Sequence, residues 1–96
     1  MKIPKRFRFN GHTVQVQIIS PEEWPHGDGV VGCLDPDQMS IDLRSDLAPS
    51  VRHQKFLHEV MHLVLLPINP RLANDEWFVE QLSQALNQLN MTVGGE

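Results

Sequence analysis

Absences set the first limits on this 96-residue chain. It has one cysteine, Cys33, so no internal disulfide can form. A lone thiol fits a reducing compartment, and the cytoplasm is the expected location. Cys33 lies in the short apolar run 30–34 and is expected to be a small core residue. No run is long or apolar enough to span a bilayer, and no signal-type apolar segment follows the basic first residues. A soluble protein without a membrane partner is therefore expected. Basic residues are in deficit, 8 against 12 acidic ones, for a formal net charge of -4. That balance excludes a dedicated nucleic-acid binder. Lys2, Lys5, Arg6 and Arg8 do cluster near the start, where charges along a strand edge deter unwanted pairing. Repeats and low-complexity segments are also missing, so residues 1–96 are expected to form a single domain. So short a chain buries a small core, and a bound metal would add to its stability.

The first half carries strand signals. Asn10-Gly11 separates the β-prone runs 7–9 and 13–19, a hairpin signature because both residues tolerate positive φ. Val14, Val16 and Ile18 alternate with Gln15 and Gln17, which puts one face on a core and the other in water. Pro21, Pro25, Gly27 and Gly29 mark a loop. Residues 30–34 and 39–43 are two further candidate strands around an Asp35-Pro36-Asp37 turn. From Asp46 the period changes to that of a helix ending near Leu66, with Asp46 as its expected cap and Pro67 and Pro70 as its stop. A second helix is predicted from a cap at Asn74 or Asp75 to about Asn90, with Phe78, Val79, Leu82, Leu86 and Leu89 as its apolar stripe. Strands followed by helices imply an α+β fold: a small three- to four-stranded sheet covered by two C-terminal helices.

The chemistry concentrates at His58-Glu59-Val60-Met61-His62, which fits H-E-x-x-H inside a predicted helix. At about 3.6 residues per turn, residues four apart project from one side, so two imidazoles can reach one metal ion. Glu59 is rotated by roughly 100° and can approach a metal-bound water without being a ligand. Phe56, Leu57, Val60 and Val64 point away from the histidines and are expected to pack on the sheet. Met61 and Leu65 flank the histidine side and are expected to form the floor beneath the metal. Two histidines leave a zinc site incomplete, since catalytic sites commonly use three protein ligands and a water. Glu76 and Glu80, one turn apart on the second helix, can each supply the third if the helices fold back together.

The sequence resembles the glutamate-zincins, metallopeptidases with H-E-x-x-H on one helix and a glutamate ligand on the next. It looks closest to small phage- or prophage-type H-E-x-x-H proteins, and more distantly to ImmA/IrrE-type metallopeptidases. The segment 76–83, Glu-Trp-Phe-Val-Glu-Gln-Leu-Ser, fits the second-helix pattern of those relatives. The resemblance implies Glu76 as the third zinc ligand and Glu80 as the carboxylate that orients His58, with Glu80 the second choice as ligand. It implies a zinc-dependent metallopeptidase with Glu59 as general base and a peptide or protein substrate, for example a single partner of the repressor kind. A non-catalytic zinc-binding regulatory module is the competing function. The chain has no tyrosine, a side chain some zincins use at the oxyanion; His53, His26, His12 and Arg71 are the candidate substitutes, each expected first to be a surface or structural residue. His53 lies about 140° around the helix from His58 and is not expected to be a ligand. Residues 39–43, the strand just before the metal helix, are the expected platform for an extended substrate.

Overall fold

The computed structural model describes residues 2–93, with side chains as far as residue 89. The hairpin signal is realised: β1 (Arg6–Phe9) and β2 (His12–Ile19) pair antiparallel around Asn10 at φ 51° and Gly11 at φ 79°. After a short 3-10 turn at Pro21–Glu23, β3 (Gly32–Asp35) and β4 (Ser40–Arg44) form a second antiparallel pair. The Asp35 side chain accepts from the backbone N–H groups of Asp37 and Gln38 and so builds the turn between them. The two hairpins join through β2 and β4, which run parallel, giving a mixed sheet in the order β1-β2-β4-β3.

Alternation decides which face is buried. Val14 and Val16 on β2 and Ile41 and Leu43 on β4 face inward, while Gln15 and Gln17 face water. The helix α1 (Pro49–Ile68) lies on that inner face and contributes Phe56, Leu57 and Leu63 to the same core. Phe7 closes it with an edge-on contact to Phe56, ring centroids 6.0 Å apart. The reverse side of α1 carries a second cluster. There Met61 and Leu65 pack with Ala73 of α2 (Pro70–Ala73) and Val79 of α3 (Glu76–Val93). Val64 belongs to this second cluster and Val60 to both, so α3 stacks mainly on α1 and Val64 does not reach the sheet.

The helix boundaries show where local signals competed. Pro49 takes an N-terminal position of α1, which makes Ala48 the cap and leaves Asp46 two residues too early. Asp46 instead forms a two-pronged pair with Arg44, at 2.8 and 3.0 Å. Pro67 does not stop α1: its ring fixes φ in the helical range, and the bond it costs is the one to the Leu63 carbonyl, close to the helix end. The chain leaves the helix at Asn69, whose side chain caps α2 through the Leu72 N–H. Asp75 caps α3 by accepting from the Phe78 N–H at 3.0 Å. Among the described residues no helix is long and apolar enough to cross a membrane.

Candidate metal centre

The two imidazoles converge as their spacing requires. His58 Nε2 and His62 Nε2 lie 3.1 Å apart. The carboxylate of Glu76 spans both, with Oε2 3.0 Å from His58 Nε2 and Oε1 3.0 Å from His62 Nε2. Each ring is held from behind. His58 Nδ1–H donates to Glu80 at 2.7 Å, and His62 Nδ1–H donates to the carbonyl of Ala73 at 2.6 Å. A carbonyl can only accept, so the His62 tautomer is fixed, and the Glu80 carboxylate fixes that of His58 in the same sense. Three lone-pair donors therefore meet with no proton between them when both rings are neutral. Such an arrangement repels itself unless a cation sits among them, and donors about 3 Å apart suit bonds of roughly 2.0–2.1 Å to one ion. His58, Glu59 and His62 form a group that could hold a metal ion, their donor atoms all within 4.8 Å of one another. Glu76 is the carboxylate that touches both imidazoles; its side chain is 72% exposed, so the site stays open to solvent.

Glu59 points into the same cleft but is buried. Burial pushes its carboxyl pKa up, and Glu76 adds to this. Charge on His62 and His58 and a backbone hydrogen bond from Leu34 oppose the rise without cancelling it. For Glu80, burial would raise the pKa. Hydrogen bonds from His58 and Gln84 outweigh it, helped by charge on His58 and Lys55, and the carboxyl stays below its ordinary value.

The cleft, of about 370 Å³, runs between α1 and β3. This corrects the expected platform. Residues 39–43 cannot offer an edge, because β4 is paired on one side by β2 and on the other by β3. The free edge beside Glu59 belongs to β3. Gly32 lets that strand come close: a Cβ there would lie 3.3 Å from Leu43 Cδ2 and 3.7 Å from Glu59 Cγ. Cys33, expected in the core, is only half-buried and lines the cleft; burial and the nearby Glu59, Asp42 and Asp35 raise its thiol pKa.

None of the four candidate substitutes for tyrosine lines the cleft, in keeping with the surface or structural role expected of each. His26 pairs with Asp42 at 2.8 Å and stacks edge-on with Trp24. His53 bonds Asn87 on α3. His12 and Arg71 are exposed, on β2 and α2. The cation on the cleft wall is Lys55 instead. Its signal was present in the sequence, since 55, 58, 59 and 62 stand at i, i+3, i+4 and i+7 and share one helix side. No local signal pointed to Gly32 or to the Ala73 carbonyl. Comparison with models of protein families, with curated proteins and with solved structures gave no match.

Proposed function

We propose that the chain is a zinc-dependent peptidase of the glutamate-zincin kind. One observation carries the reading: two imidazoles with fixed tautomers and the Glu76 carboxylate meet at 3.0–3.1 Å beside the buried Glu59. Two nitrogens and a carboxylate suit zinc among the common divalent ions. A zinc ion held there supplies a water of lowered pKa and a Lewis acid for a carbonyl oxygen. The rest falls to the chain's own residues. Glu59, its pKa raised by burial, accepts a proton from the attacking water and returns it to the leaving amine. Glu80 and the Ala73 carbonyl keep both Nε2 lone pairs aimed inward. The edge of β3 offers backbone groups to an extended peptide, which suits a protein substrate and asks for no single sequence. Lys55 is the cation placed to meet negative charge in the cleft. The resemblance to small phage-type proteins supports one protein partner, such as a repressor, and the lone cysteine supports a cytoplasmic setting.

The absence of tyrosine favours a second reading, a zinc-binding regulatory module without turnover. One experiment separates the two. Protein purified without added metal is assayed for zinc content and for digestion of a mixed peptide library. Peptidase function requires zinc at one per chain and digestion that Glu59→Gln abolishes while keeping the zinc. His62→Ala should lose both. Zinc without digestion leaves the regulatory module, and no metal in the wild-type protein rules out both.

A further inference from the structure

A second cleft, of about 360 Å³, shares no lining residue with the metal centre. It lies where the first residues of the chain cross β2 and the first turns of α1. Ile3, Val16 and Ile18 make an apolar wall, and Lys2, Lys5 and Arg52 stand around it. No carboxylate lines this cleft, in a chain whose acidic residues outnumber its basic ones. Among the described residues, none of these three cations is in an ion pair, and the Arg52 guanidinium hydrogen-bonds the Ser45 carbonyl.

His53 also lines the cleft and is held by amide bonds running to α3. Gln54 Nε2–H donates to Ser83 Oγ, and Asn87 Nδ2–H donates to Gln54 Oε1. Those bonds orient the Asn87 amide so that its oxygen faces His53 and accepts from Nδ1–H at 3.0 Å. His53 Nε2 is left screened from solvent and without a partner; with the proton on Nδ1 it can only accept, so an anion entering here would be met by Lys2, Lys5 and Arg52 and not by this ring. The first turn of α1, which opens at Pro49 on the cleft wall, has no side-chain cap, and its exposed N–H groups add positive potential. The size falls in the range of small-molecule sites.

We propose that this cleft binds a small amphiphilic anion, a carboxylate or phosphate carried on a short apolar body. The headgroup meets Lys2, Lys5 and Arg52, and the body lies on Ile3, Val16 and Ile18. Neither half of such a ligand matches the cleft alone. Phosphate has nothing to offer the apolar wall, and an alcohol leaves three cations unpaired.

Octanoate, octyl phosphate, octanol and inorganic phosphate are titrated separately into the isotope-labelled full chain, and backbone amide shifts are followed. Saturable shifts confined to Ile3, Val16, Ile18, Arg52 and their neighbours are expected with octanoate or octyl phosphate. The tighter of the two assigns the headgroup. The charge reversals Lys5→Glu and Arg52→Glu together should weaken the better ligand roughly five- to tenfold. The α3 amide positions should not move in that variant, which checks that it folds. Octanol binding as well as octanoate, inorganic phosphate binding as well as octyl phosphate, no saturation, or shifts spread over the whole molecule would each overturn the proposal. Because metal is not needed in any arm, the outcome is independent of the peptidase reading.

Discussion

Glu59 is held in surroundings that work against its charge. It is 9% exposed, faces Glu76 across the cleft, and keeps only partial compensation from the two histidines and Leu34. The sign of the consequence follows from linkage. A carboxyl whose folded pKa is raised binds its proton more tightly folded than unfolded. Stability is therefore fullest below the ordinary value of 4.5 and falls as pH rises through the raised one. Glu59→Gln removes that loss. In the metal-free protein we expect this variant to melt at a higher temperature than wild type at pH 7. The gap should close as the pH is lowered toward 4.5, and a variant that melts lower at pH 7 would contradict the account. On the peptidase reading proposed above, local stability is given up here for a group able to move a proton.

At the scale of elements, α1 has three tasks around its circumference. One side packs on the sheet through Phe56 and Leu57, one on α3 through Met61 and Leu65, and one presents His58, Glu59 and His62. Periodicity made this helix legible in the sequence, along with the hairpin at Asn10-Gly11 and, apart from the exposed Leu89, the apolar stripe of α3. The roles of Glu76 and Glu80 were not legible from spacing alone. Two carboxylates one turn apart are equivalent until the axial offset between α1 and α3 is known. That offset is set by the extra turn α2, by Asp75 as the cap, and by a polar seam between the helices. In the seam Gln54 donates to Ser83, and Ser83 Oγ–H donates to the Glu80 carbonyl. Ser83 is fully buried, so Ser83→Ala strips the Gln54 amide of its acceptor. Denaturant unfolding should show a loss of about 1–3 kcal/mol. Trp77→Ala, at a side chain 72% exposed on the same helix, should stay within about 0.5 kcal/mol. Equal losses would mean the seam does not set the packing.

At the scale of the whole molecule, strand order was beyond the reach of sequence reasoning. Each strand was readable from its own alternation, but a candidate edge was chosen by nearness along the chain. The structure instead tucks β4 inside the sheet and leaves β3 outside. No residue pattern in β4 announces this, because Ile41 and Leu43 would alternate in the same way at an edge. The central join is parallel and pairs Val16 with Ile41 and Ile18 with Leu43, residues from different hairpins. Cleaving the exposed turn between Asp28 and Gly29 should therefore give two pieces that are each unfolded by circular dichroism and regain structure on mixing. A folded 29–96 piece would show that β2 is dispensable. The parallel join of β2 and β4 fixes an order of events during synthesis. Until Arg44 has left the ribosome, the inner rim of the first hairpin has nothing to zip onto, so the nascent chain must carry that hairpin half-finished while its partner is still being made.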